Sequence, residues 1–153
     1  MKNYKPLFII IIFCFILSFI QATHQMDSMM SYFMGYFFVF LSLFKFFDLK
    51  GFVEGFSKYD LLTKKLPLYG YLYPFIEFLL GLGYLSQANL IIINLGTLFI
   101  MSLSSIGIIR GIYSGQKIQC ACLGTILNVP LSTISIVENF GMGLMAFYKL
   151  TLQ

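Results

Sequence analysis

The sequence predicts an all-α protein, a polytopic transmembrane helical bundle of four helices preceded by an N-terminal anchor or signal helix. Three observations predict it. Of the 153 residues, 59% are hydrophobic and only 10% are charged, more apolar surface than one soluble core of this size holds. The apolar residues fall in five runs, each near the roughly 20 residues that a helix needs to cross about 30 Å of hydrocarbon. Lysines cluster at the ends of those runs, where they set membrane orientation. Helices follow, because hydrocarbon offers backbone N–H and C=O groups no partners.

The first run, Pro6 to Ala22, follows Lys2 and Lys5. A basic start, an apolar centre and a small residue near the end read equally as a signal peptide or an uncleaved anchor. Residues 1–25 are therefore set apart from a membrane domain over 29–150. That domain holds runs from Met29 to Phe47, Leu66 to Ser86, Ala88 to Tyr113 and about Pro130 to Leu150. Only Gln87 separates the third run from the fourth, which predicts a tight antiparallel hairpin. Gly81, Gly83, Gly96, Gly107, Gly141 and Gly143 are expected where helices approach closely. Between Asp48 and Leu66, Phe52, Phe56 and Tyr59 recur at spacings of four and three among charges. This predicts an amphipathic helix lying at the interface.

With the N-terminus inside and the runs alternating, Lys2, Lys5, Lys45, Lys50, Lys58, Lys64, Lys65, Arg110 and Lys117 fall inside or at the inner interface. Lys149 alone falls outside. Nine against one is a strong positive-inside bias. The bias predicts a multi-pass protein of a bacterial-type inner membrane, with the loop carrying Cys120 and Cys122 on the cytoplasmic side. The net charge of +4 marks topology and no nucleic-acid footprint; the lipid bilayer is the first expected partner.

Cys120-Ala121-Cys122 lies in a polar break between apolar runs. Two thiols one residue apart close a small, strained disulfide suited to exchange. They also make half a site for Cu(I) or Zn(II), or are plain cysteines at the end of a span. Lys117 nearby favours the thiolate. Cys14, amid Ile, Phe and Leu, reads as structural. Glu77 stands near the middle of the third run, three residues after Pro74. A carboxyl there costs at least ~2.5 kcal/mol unless paired or protonated. It must face the bundle interior, as a packing hydrogen bond, a proton relay, or a contact to a quinone or partner. Asn94, Glu77, Glu138 and Asn139 are candidates for one buried polar cluster. On the outer side, His24, Met26, Met29, Met30 and Met34 offer imidazole and thioethers, ligand types that suit copper as Cu(I). Cys-x-x-Cys and a phosphate-binding Gly loop are missing, the lone His speaks against a haem held by paired histidines within this chain, and no Ser-His-Asp set is proposed. No classical catalytic site is read.

Three stretches carry a family resemblance: Phe46-Phe47-Asp48-Leu49-Lys50-Gly51-Phe52, Tyr69-Gly70-Tyr71-Leu72-Tyr73-Pro74-Phe75-Ile76-Glu77, and Cys120-Ala121-Cys122-Leu123-Gly124-Thr125. Together they resemble the MauE/DoxX family of redox-associated membrane proteins, over about Ser31 to Tyr148. The resemblance implies a four-helix membrane bundle. It links MauE-type members to methylamine utilisation, in maturation of the disulfide-rich small subunit of methylamine dehydrogenase, and DoxX-type members to quinone-coupled oxidation. The chain departs from the family pattern at Ala121, where Gly is frequent, and at Leu123, where an aromatic is frequent. Three functions are expected to compete. The leading one is a thiol-redox accessory protein using Cys120 and Cys122, with Glu77 moving a proton or touching a membrane or thioredoxin-like redox partner. The others are a copper-binding or transport protein and a structural subunit with no chemistry of its own.

Overall fold

The computed structural model describes residues 5–22, 26–58, 61–113 and 131–152, and every element among them is helical. Helix α1 covers Lys5–Gln21, α2 Met26–Phe47, α3 Leu49–Ser57, α4 Leu61–Lys65, α5 Pro67–Leu85, α6 Leu90–Tyr113 and α7 Leu131–Leu152. The five apolar runs thus become α1, α2, α5, α6 and α7. At 1.5 Å per residue, the 19 to 24 residues of α2, α5, α6 and α7 give lengths of about 28 to 36 Å. Segments Ser28–Phe47 and Leu90–Arg110 are long and apolar enough to cross a membrane by length and composition.

The surface reverses the pattern of a soluble domain. Phe8, Phe19, Leu79, Ile92, Phe99 and Leu144 are more than half exposed, while Ser18, Ser31, Ser42, Lys45, Glu77, Asn94, Thr97 and Asn139 are buried. Water penalises such an exterior, whereas lipid is as apolar as the side chains it meets. Polar groups inside then hold helices together by hydrogen bonds. Tyr84 Oη donates to Asn94 Oδ1 at 2.7 Å and lies 3.0 Å from Thr97 Oγ1, tying α5 to α6. Asn139 Nδ2 donates to Ser104 Oγ at 3.1 Å, tying α7 to α6.

Helix α2 packs most extensively on α5, and α6 on α7, with α1 against α2. Where α2 crosses α5, a Cβ on Gly81 would stand 3.0 Å from both Val39 N and Gly35 O, and one on Gly35 would stand 3.0 Å from Gly81 O. The two glycines let the backbones touch. Gly141 and Gly143 behave otherwise: a Cβ on either meets nothing within 4 Å, so they open space instead of closing it.

The turn from α5 to α6 is as tight as expected. Ala88 N donates to Gly83 O at 3.3 Å and Gln87 N to Tyr84 O at 3.2 Å, with Gln87 at φ 52°. This is a Schellman stop with glutamine where glycine is usual.

The Asp48–Leu66 connection carries a one-sided helix, α3, with Phe52, Val53 and Phe56 on its buried face. It forms two short helices, α3 and α4, with Phe52 and Phe56 of α3 packed on Tyr73 of α5; Tyr59 lies outside the described residues. Asp48 caps α3, its Oδ1 accepting from Gly51 N at 3.0 Å, and the chain turns back along α5. Phe52, Val53 and Phe56 are buried, Phe52 stacks near Tyr73 at 6.1 Å, and Phe56 lies 4.8 Å from Tyr73 between ring centroids. Gly70 admits this layer, since a Cβ there would meet Thr63 Cγ2 at 2.6 Å and Val53 Cγ1 at 3.2 Å. An amphipathic pattern specifies that one face is buried; here protein aromatics supply the cover.

Candidate functional site

Glu77 sits ten residues beyond Pro67, the first residue of α5, on the face turned towards α2. Pro74, one turn earlier, lacks an N–H and so leaves the Gly70 carbonyl without its helical donor. From α2, Lys45 reaches Glu77 and its Nζ donates to Glu77 Oε2 in a buried ion pair. The lysine is 1% exposed and the glutamate 0%. Lys45 is two residues from the end of α2. Side chains on a helix lean towards its N-terminus, so this ammonium is carried back into the bundle and not out to the boundary.

Aromatic rings line the lysine. Its Nζ stands 5.4 Å from the Phe52 centroid and 5.1 Å from that of Tyr73. Phe56 and Tyr69 extend the cluster, with Tyr69 6.5 Å from Phe56 and 6.1 Å from Tyr73. Ring faces attract a cation, by up to ~2 kcal/mol where water is excluded. The cage therefore offsets part of the cost of desolvating the ammonium, and the carboxylate offsets more. Glu77 keeps one buried oxygen, Oε1, without a hydrogen-bond partner among the described residues. That atom can accept a proton or a donor group from outside the pair.

The structure brings Glu77 together with Lys45, and not with the polar residues expected beside it. Asn94 joins Tyr84, Asn139 joins Ser104, and Glu138 lines a separate cavity with Leu7, Ile11, Phe33 and Phe37. The expected single cluster is thus dispersed over three helix pairs. Helical rotation decides this: residues on different helices at similar depth meet only if their faces point together. Lys45 was legible as a lysine inside an apolar run, but its place near the run's end made it read as a boundary marker.

Among the other candidates, Met29 and Met30 line a cavity with Phe15, Phe33 and Met145, while Met34 is buried in the core. His24, Cys120 and Cys122 lie outside the described residues, and Met26 falls within α2 with its side chain outside them. Cys14 is a buried free thiol. Among the described residues, no three His, Cys, Asp or Glu side chains gather into a metal-binding group.

Comparison with known proteins gives one finding. The family described as methylamine utilisation protein MauE matches residues 16–152. No curated protein and no solved structure matches the chain.

Proposed function

Since the chain belongs to the family of methylamine utilisation protein MauE, a family of membrane proteins, we propose that it is a multi-pass inner-membrane accessory protein of methylamine utilisation. In this reading it acts by thiol–disulfide exchange during maturation of a dehydrogenase. The observation that carries the proposal is the family match, which runs from the end of α1 to the end of α7 and includes the Cys120-Ala121-Cys122 segment. Cys120 and Cys122 are the exchanging thiols. As a dithiol they reduce a disulfide of a thioredoxin-like partner, which takes up two electrons and two protons as the Cys120–Cys122 disulfide forms. The lysine bias puts them on the cytoplasmic side, where thiols are held mostly reduced, and this supports electron donation outward from the cell interior.

The Lys45–Glu77 pair supports the same reading. It is a charged, fully buried site in a bundle that exposes many large apolar side chains to its surroundings. An ionisable residue at membrane depth is by default a functional site. The unoccupied acceptor Oε1 of Glu77 suits a proton moving with the thiol chemistry, or a donor group of a membrane partner.

The test is complementation of a deletion strain with the wild-type chain, Cys120→Ser, Cys122→Ser and Glu77→Gln, reading growth on methylamine and the amount of active dehydrogenase. Thiol trapping, read as a mass shift, follows the cysteines in parallel. The wild type restores both readouts, and each serine variant loses them. Full complementation by the serine variants, with no oxidised cysteine ever trapped, would leave the protein a structural subunit and overturn the proposal.

A further inference from the structure

A cleft of about 520 Å³ opens between α3, α4 and the first residue of α5. It lies on the segment that carries Lys50, Lys58, Lys64 and Lys65, which the lysine bias assigns to the membrane surface. Most of its lining is charged or polar. Glu54, Ser57 and Lys58 come from α3 and its C-cap, and Thr63 and Lys64 from α4. The cavities beside α7 contrast with it, since their lining is apolar apart from Glu138.

The base of this site is fixed by packing. Helices α3 and α4 both rest on α5. Val53 and Thr63, which line the cleft, are also the side chains that a Cβ on Gly70 would strike. They are 7% and 1% exposed, so the charged groups beside them project from a rigid support.

Three features determine what fits. Glu54 and Lys58 are four residues apart, the spacing at which a helix pairs opposite charges. Among the described residues, however, Glu54, Lys58 and Lys64 form no ion pair with one another; all three are exposed and line the cleft. Their hydrogen-bonding capacities are also divided. Lys58 and Lys64 only donate, and an ammonium binds phosphate as a point charge. Ionised Glu54 only accepts, and Ser57 Oγ already donates to Glu54 O at 2.9 Å, which leaves it an acceptor for a ligand. Finally, Leu66 and Leu68, on either side of the cleft residue Pro67, are 61% and 68% exposed. An apolar surface therefore continues directly from the charged one.

We infer that the cleft seats the headgroup of a membrane phospholipid that carries a hydrogen-bond donor beyond its phosphate. The phosphate lies on Lys58 and Lys64, the donor on Glu54 and Ser57, and the acyl chains along Leu66 and Leu68. The ammonium of phosphatidylethanolamine and the hydroxyls of phosphatidylglycerol share that donor chemistry, and the quaternary choline of phosphatidylcholine lacks it. The inference rests on the membrane reading above and is independent of the thiols and of Glu77.

The test uses the full chain purified from membranes in a non-ionic detergent. Native mass spectrometry reads the binding of single molecules of the three phospholipids, all with the same acyl chains. Phosphatidylethanolamine or phosphatidylglycerol should bind about tenfold tighter than phosphatidylcholine, the worth of one hydrogen bond to a charged group, and the tighter of the two identifies the donor. Lys58→Gln with Lys64→Gln should weaken binding of all three by about tenfold or more, through loss of two cations at a membrane surface. Lys50→Gln with Lys65→Gln removes the same charge from positions that do not line the cleft, and should leave binding unchanged. Glu54→Leu should erase the preference over phosphatidylcholine. All these positions are exposed, so circular dichroism should not change. Equal binding of phosphatidylcholine, or an equal loss in the Lys50 and Lys65 variant, would mean general attraction to a basic surface only and overturn the inference. Competition by glycerophosphoethanolamine, which has no tails, at the same concentration as the whole lipid would overturn it too, in favour of a soluble phosphodiester. Recovery of the chain in the soluble fraction would overturn the membrane reading along with it.

Discussion

Lys45 of α2 and Glu77 of α5 are buried against each other, and the rings of Phe52 and Tyr73 close over the ammonium. The pair joins the two helices that pack most extensively in the bundle. Its surroundings make single and paired substitutions diverge. Lys45→Met or Glu77→Leu alone leaves a buried charge without its counter-charge, and should cost about 3 to 5 kcal/mol. The double variant removes both desolvated charges and should recover most of that loss. Thermal unfolding in detergent measures all three. A double variant no more stable than the singles would show that the pair is not the coupled unit described.

Gly81 and Gly143 should respond in opposite senses to the same added methyl group. Alanine is the better helix former by ~1 kcal/mol. At Gly143 the Cβ meets open space, so Gly143→Ala should be neutral or stabilising. At Gly81 the new atom would press on the α2 backbone at Val39 N and Gly35 O, and overpacking costs about 1 to 3 kcal/mol. Gly81→Ala should therefore lower the unfolding temperature despite its helix propensity.

Tyr84→Phe removes the hydroxyl that bridges Asn94 and Thr97 and little else. Hydrogen bonds between membrane helices average about 0.6 kcal/mol, below the 1 to 3 kcal/mol of an orphaned buried group in water-soluble proteins. A loss of about 1 kcal/mol is expected, because Asn94 Oδ1 is left buried without its donor. Denaturant titration followed by circular dichroism reads the change.

Gln87→Gly should stabilise the α5–α6 turn. Glutamine at φ 52° bears a Cβ clash that glycine lacks, worth about 1 kcal/mol. Against this, the variant loses the bond from Gln87 Nε2 to Tyr84 O at 2.9 Å, which is partly exposed and worth less. The unfolding temperature should rise slightly. A fall would mean that the side-chain bond, and not the backbone conformation, dominates this turn.

The sequence by itself determined the helical class, the bounds of the five long helices to within a few residues, the tight turn at Gln87 and the family. These are local or compositional properties: apolar run length, turn chemistry and motif spacing are written in neighbouring residues. It also singled out Glu77, because a carboxyl within an apolar run has no inexpensive place at membrane depth. Only the tertiary structure decided what Glu77 meets. Whether its partner is Lys45, or Asn94 and Glu138 as the polar pattern suggested, depends on how each helix is rotated about its axis. That rotation is set by the backbone contact of Gly35 with Gly81 and by α3 folding back onto Gly70. The burial of Phe52 and Phe56 under Tyr73, the dispersal of the polar residues into separate pairs, and the open space beside Gly141 have the same origin. Each is a relation between faces of different helices, which side-chain spacing along one helix does not encode.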